Sequence, residues 1–156
     1  MHHVIIAPHP DDEVIGCYEV LRREEGIIII YSADSDPKRR KEAMRLKEFV
    51  EGIKVQMFQN SIPMAMVNSD HKFYFPDPVY ETHPKHREMG MTGELYARSG
   101  IDVTFYSTNM NAPYIHEAAD TIGKEYVLDE VYSSQRDLWK YEKKYILFEG
   151  YCKWVF

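Results

Sequence analysis

His3-Val4-Ile5-Ile6-Ala7-Pro8-His9-Pro10-Asp11-Asp12-Glu13-Val14-Ile15-Gly16, answered after Gly26 by Ile27-Ile28-Ile29-Ile30-Tyr31, is the stretch that decides the fold. The β-branched run His3 to Ala7 stops at Pro8 and reads as a buried strand. Asp11 to Glu25 has helical character: its first turn is acidic, which suits the positive end of a helix dipole, and Gly26 ends it. Ile27 to Tyr31 is apolar at every position, as a strand of a parallel sheet covered on both faces must be.

The same alternation continues outward. Pro37 to Val50 carries Ala43, Met44, Leu46, Phe49 and Val50 at roughly helical spacing and stops at Gly52, and Lys54 to Phe58 suits a third strand. Strand, helix, strand, helix, strand within 60 residues predicts an α/β chain with right-handed crossovers, a Rossmann-like three-layer fold on a mostly parallel sheet. Beyond it, Asn60 to Asp70 reads as loop and Lys72 to Phe75 as a short strand before Pro76 and Pro78. Residues 85 to 98 read as a helix that Gly90 and Gly93 weaken, and Val103 to Ser107 as a strand. Glu117 to about Tyr141 is a long helical stretch with a break expected near Ser133, and Tyr145 to Phe156 is strand-like. With no repeat, linker or low-complexity segment, residues 1 to 156 are expected to form one domain.

Composition narrows the function classes. The chain has 44% hydrophobic and 28% charged residues, which fits a folded globular protein. A net charge of −6 argues against a sequence-blind grip on nucleic acid, and the run Lys38, Arg39, Arg40, Lys41, Arg45, Lys47 suits a solvated helix face. No apolar span is long enough for a membrane helix, and Val4 to Ala7 lacks the layout of a signal peptide. Two cysteines, Cys17 and Cys152, are too few for a disulfide scaffold; a cytoplasmic protein is expected.

Chemistry concentrates in two places. Pro8-His9-Pro10-Asp11-Asp12-Glu13 lies where the first strand hands over to the first helix, at the strand end where open α/β sheets bind ligands. His and Asp are standard zinc ligands, and a catalytic zinc takes three protein ligands and leaves a position for water. Of two adjacent carboxylates at a turn, one can ligate while its neighbour reaches the water; capping the helix is the ordinary alternative for either. The second place is His83-Pro84-Lys85-His86, which follows the extended stretch Phe75 to Tyr80.

These two motifs resemble those of the zinc-dependent N-acetylglucosaminyl deacetylases of the PIG-L/LmbE type, which carry Ala-His-Pro-Asp-Asp-Glu after the first strand and a later His-Pro-Asp-His. The resemblance implies that His9, Asp12 and His86 hold Zn2+, that Asp11 is the general base, and that His83 acts on the tetrahedral intermediate. Arg39-Arg40-Lys41-Glu42-Ala43 is similar to the family's Arg-x-x-Glu helix, whose arginine faces substrate; Asp34 looks like the family's acidic position after the second strand, and Ser134-Gln135 like a late Ser-Gln pair. The likeness runs from residue 1 to about 136. It implies an N-acetylated small-molecule substrate, released as acetate and a free amine.

The chain departs from the family in three ways. It is shorter, with loops trimmed around Gly16 to Gly26 and after Phe58. Gly16-Cys17-Tyr18-Glu19 stands where Gly-Gly-Thr is usual. Lys85 replaces the acid that pairs with the histidine matching His83, leaving Asp77, Glu81 and Glu88 as substitutes for that partner. An ammonium there, with Arg39 or Arg40 arriving from the second helix, suggests an anionic group on the substrate. The rival readings are a metal-dependent phosphoesterase, a nucleoside amide hydrolase and a non-catalytic zinc-binding module; no Gly-x-Gly-x-x-Gly follows the first strand, which speaks against a dinucleotide site.

Overall fold

A computed structural model describes residues 2–33, 36–68 and 70–154. The two apolar runs that open the chain lie side by side as β1 (His2–Ala7) and β2 (Ile27–Tyr31), parallel and in register from His3 opposite Ile27 to Ala7 opposite Tyr31. Helix α1 (Asp12–Arg23) connects them, and α2 (Pro37–Met44) leads through a 3-10 turn at Arg45–Glu48 to β3 (Ile53–Phe58) on the far side of β2. The chain then crosses back through a 3-10 turn at Met64–Met66 and lays β4 (His71–Pro76) against the other edge of β1. Helix α3 (Pro84–Arg98) and β5 (Asp102–Tyr106) continue outward from β4. The order β3-β2-β1-β4-β5 therefore reverses direction between β1 and β4, and the crevice above such a switch point is where α/β sheets bind ligands.

Side chains alternate across the sheet and build two cores. Ile5, Ala7, Ile27, Ile29, Tyr31 and Tyr106 face one layer, packed with α1, α2 and the C-terminal helices; Val4, Ile6, Ile28, Ile30, Phe73 and Phe105 face the other, packed with Met89 and Tyr96 of α3. Burying each such side chain contributes roughly 1.5–3 kcal/mol, so the central strands hold both layers. The glycines that weaken α3 as a helix let it sit close: a Cβ at Gly93 would lie 2.7 Å from the Phe75 ring, and one at Gly90 2.7 Å from the Pro76 carbonyl oxygen.

The C-terminal third corrects the sequence reading. A two-residue strand, β6 (His116–Glu117), precedes α4 (Thr121–Val131), which gives way to a 3-10 turn at Ser133–Gln135 and then α5 (Arg136–Tyr141); the break falls where it was expected. The expected closing strand is instead α6 (Lys144–Leu147) followed by β7 (Phe148–Glu149) and β8 (Tyr151–Cys152). β7 pairs with β6, and β8 is the antiparallel edge of the main sheet beside β5. The apolar composition of Tyr145 to Cys152 served helix packing and two short pairings equally, so pattern could not separate them.

Helix α1 is itself broken at Cys17, whose φ of −129° and ψ of 27° are not helical. The backbone groups freed there find distant partners. The Ile15 carbonyl accepts from Lys124 Nζ at 2.7 Å, and the Glu19 N–H donates to Glu149 Oε1 at 3.0 Å. Lys124 is fully buried, donates also to the Phe148 carbonyl and stands 4.0 Å from Glu149 Oε2. Burial pulls its pKa down to about 8 against the attraction of Glu149. Among the described residues no helix is long and apolar enough to cross a membrane, and Cys17 and Cys152 are both free thiols.

Candidate active site

β1 ends at Ala7, and the next five residues turn the chain into α1. The turn requires Asp11 to adopt a φ of 115°, a region L-residues seldom enter. Two anchors hold it. Glu13, fully buried, accepts the Asp11 N–H at 3.0 Å on one carboxylate oxygen and the hydroxyls of Tyr31 and Tyr132 on the other. Arg39, arriving on α2, donates to the Pro10 carbonyl at 2.7 Å and faces Asp11 Oδ2 at 3.4 Å. Glu42, one turn further on α2, accepts from the backbone and hydroxyl of Ser134, so the same helix ties the β1 turn to the 3-10 turn before α5.

This turn meets the loop after β4 over the switch point. His9 Nδ1 lies 3.3 Å from Asp12 Oδ2, His86 Nε2 lies 3.1 Å from the same oxygen, and the two ring nitrogens are 3.3 Å apart. Ligand atoms about 2.0–2.1 Å from one tetrahedral zinc stand roughly 3.4 Å from each other. The triangle therefore fits a single ion, and His9, Asp12 and His86 could hold a metal. The other nitrogen of His86, Nδ1, is taken by Thr108 Oγ1 at 2.9 Å and Glu81 Oε1 at 3.2 Å; the same Glu81 oxygen accepts the Thr108 N–H and hydroxyl. Such a carboxylate–histidine pair fixes the ring and raises its basicity as a ligand.

The electrostatics divide the two aspartates. Burial, with Asp12 alongside, pushes the Asp11 carboxyl well above the usual range against the pull of Arg39. Burial opposes ionisation of Asp12 too, yet its hydrogen bonds to His86 and His9 outweigh that and hold its carboxyl low. Burial pulls His86 down, but Asp12 and Glu81 lift it to about 10, so a metal at Nε2 competes with a proton. Burial raises Glu13 to about 7, with the Tyr132 hydroxyl working the other way.

His83 caps α3: its Nδ1 accepts the Lys85 N–H at 3.1 Å, which leaves Nε2 to carry the proton of the neutral ring. Its ring lies 4.9 Å from that of His9 and 4.9 Å from that of His86, and burial together with those two rings holds its pKa below the usual histidine value. None of the three acids offered as its partner reaches it. Asp77 is spent on the N–H groups of Val79 and Tyr80, the Tyr114 hydroxyl and Trp154 Nε1; Glu81 serves His86; Glu88 pairs with Lys85 at 3.3 Å on the exposed face of α3.

A cavity of about 360 Å³ opens on this constellation; His9, Asp11, Asp12, His83, His86 and Arg39 line it. Lys85 and Arg40 do not: the first is turned to Glu88, and the second lies over the Phe58 ring, 5.5 Å from its centroid. Asp34 lies outside the described residues. Sequence reasoning missed Glu13, Tyr132 and Thr108 and gave Glu81 the wrong histidine. Glu13 stood in the quoted motif; the others are brought in by β5 and α4, whose approach no local spacing reveals.

No model of a known protein family matches the sequence, and no curated protein matches it. Solved structures do. A conserved protein from Thermus thermophilus superposes with a TM-score of 0.63 over 98% of this chain and 94% of its own, at 14% identity. The 4-carboxy-2-hydroxymuconate hydratase GalB from Pseudomonas putida gives a TM-score of 0.61 over 99% of this chain and 98% of its own, at 12% identity. Likeness at such identities establishes the Rossmann-like α/β fold.

Proposed function

We propose that this protein is a cytoplasmic zinc-dependent deacetylase that hydrolyses the acetamide of an N-acetylated sugar or related small metabolite. The observation that carries the reading is the pairing of a three-atom ligand triangle, His9 Nδ1, Asp12 Oδ2 and His86 Nε2, with an unligated buried carboxylate, Asp11, on the same cavity. Zinc held by that triangle would lower the pKa of a bound water and polarise a carbonyl.

The residues supply the rest. Asp11, an unligated carboxylate on the same cavity, would take a proton from the attacking water. As the water oxygen bonds to the acetyl carbon, His83 donates Nε2–H to the carbonyl oxygen on which charge builds; a neutral ring suits that task. Asp11 returns its proton to the amine nitrogen as the C–N bond breaks, so water and amide become acetate and amine. Arg39 keeps Asp11 in place from α2.

Rival readings find less support. A two-metal phosphoesterase needs a second ligand group, and among the described residues the only cluster of three ligating side chains is His9, Asp12 and His86. A purely structural zinc site has no use for Asp11. Hydration of a carboxylate substrate, the reaction of the Pseudomonas neighbour, calls for a cationic grip; here Lys85 is paired with Glu88 and Arg39 Nη2 with Asp11 and the Pro10 carbonyl, which leaves the buried Arg39 Nε for that role.

The test is mass spectrometry on a panel of N-acetylated sugars, N-acetylated nucleosides, a phosphodiester and an enoic acid, each incubated with zinc-loaded protein. Loss of an acetyl group is expected, falling roughly 10²–10⁴-fold in Asp11→Asn with zinc retained. Turnover of only the phosphodiester or the enoic acid, or an Asp11→Asn protein as active as the parent, would overturn the reading.

A further inference from the structure

The catalytic cavity borders α5. Gln135 and Leu138, which line it, also line a second, shallow cavity of about 440 Å³ that runs out along the helix to Tyr141. Leu138 is 40% exposed and Tyr141 84% exposed, an apolar side chain and an aromatic ring presented to solvent next to the site. The neighbouring Trp139, by contrast, is fully buried and donates to Asp129.

Charge on this segment is sorted. Three of its cations are paired with acids of α4, Arg136 with Asp129, Lys140 with Glu125 and Asp129, and Lys143 with Glu125, while Lys144 lies over the ring of Tyr145, which lines the catalytic cavity. Its carboxylates, Asp137 and Glu142, line the shallow cavity and form no ion pair among the described residues. The shallow cavity along α5 is therefore apolar and aromatic, with a negative border.

An acetyl group is small enough to be taken up at the metal triangle, so the bulk of a substrate, the part attached to the amide nitrogen, must extend into a neighbouring cavity, and the one along α5 shares Gln135 and Leu138 with the site. From this adjacency, and resting on the deacetylase reading, we infer that α5 is the subsite for the leaving-amine portion, with Tyr141 and Leu138 as its specificity-determining residues. The substrate class it fits is an N-acetylated amine carrying an apolar or aromatic ring and no anionic group. Tyr141 stacks on the ring, Leu138 packs beneath it, and Asp137 and Glu142 repel carboxylates and phosphates. This reverses the expectation of an anionic substrate that Lys85 suggested from sequence.

Two arms test it. In the binding arm, NMR titration of the zinc-loaded protein uses phenyl β-D-glucoside, which has no acetamide, and its 4-carboxyphenyl counterpart. The phenyl compound should bind more tightly; Tyr141→Ala should weaken it roughly tenfold while Tyr141→Phe retains it, as stacking requires. Asp137→Asn with Glu142→Gln should narrow the gap between the two probes. In the kinetic arm, the ratio of kcat/KM for the phenyl over the methyl glycoside of N-acetylglucosamine should fall towards one in Tyr141→Ala and in Leu138→Ala. Equal binding of the phenyl probe by parent and Tyr141→Ala, or preference for the carboxylate probe, would overturn the subsite. If no acetamide is cleaved at all, the deacetylase reading fails and the binding arm alone decides the role of α5.

Discussion

The turn after β1 and the loop that leads from β4 into α3 both position side chains that could hold a metal, but they are stabilised in different ways. In the first, the anchors grip backbone: Glu13 holds the Asp11 N–H and Arg39 the Pro10 carbonyl, so a conformation of positive φ persists. In the second, the anchors grip a side chain: Glu81 and Thr108 hold His86 Nδ1 and aim Nε2 at the triangle. A backbone-gripped turn can place adjacent carboxylates in opposite roles, one ligating and one free. A side-chain grip tunes a single ligand.

The largest expected effect tests whether the triangle is the ligand set. His9→Ala, Asp12→Ala and His86→Ala should each lose zinc by elemental analysis, while His83→Ala keeps it, because His83 Nδ1 is engaged as the cap of α3. Since His2 and His3 lie at the chain start, the measurement should be repeated with both replaced. Zinc retained in His86→Ala and lost in His83→Ala would exchange the roles of the pair.

The next pair of variants separates the two kinds of anchor. Glu81→Gln should weaken zinc binding roughly 10–100-fold, with kcat largely restored at saturating metal. Glu13→Gln should do the reverse, keeping zinc while kcat falls, because what it disturbs is the placement of Asp11. Metal titration followed by steady-state rates distinguishes them, and identical profiles would erase the contrast.

A smaller effect concerns the bracing of α1 away from the metal. Lys124 has a folded pKa of about 8, below its ordinary value of 10.5. Between those values the unfolded chain binds a proton that the folded chain does not, so stability should rise with pH from about 8 to 10.5 and show no Lys124 slope below 8. Thermal melts of the parent minus those of Lys124→Met should trace that rise; a flat difference would mean that Lys124 titrates normally. The smallest effect is expected at Lys85, an exposed ion-pair partner of Glu88, where Lys85→Ala should shift stability by less than about 0.5 kcal/mol and leave KM close to parent.

Much of this architecture was legible in the sequence because β1 and β2 are apolar throughout and the first helix is bounded by Asp11 and Gly26. The order of the strands was not, since the return from β3 to β4 runs through a segment with only a short 3-10 turn to mark it. His9, Asp12 and His86 were legible as ligand types at suitable spacing, and the structure brings them together. Lys85, beside His86 in sequence, lies on the solvent side of α3, where it pairs with Glu88. Glu81, a candidate partner of His83 in the sequence, sits instead on His86, which it contacts directly and braces together with Thr108, a residue just past β5 that the local stretch does not contain.

Under the proposed function, the positive φ of Asp11 sets stability and catalysis against each other at one position. A side chain bearing Cβ costs about 1–2 kcal/mol in that region, a cost glycine avoids. Asp11→Gly would relieve the strain and also remove a buried, partly uncompensated carboxylate next to Asp12. A population of variants selected for heat resistance alone would therefore drift to glycine at residue 11 and accumulate robust, metal-binding, silent proteins. Persistence of aspartate at that position under selection would then be a record of the reaction, written against the folding preference of the chain.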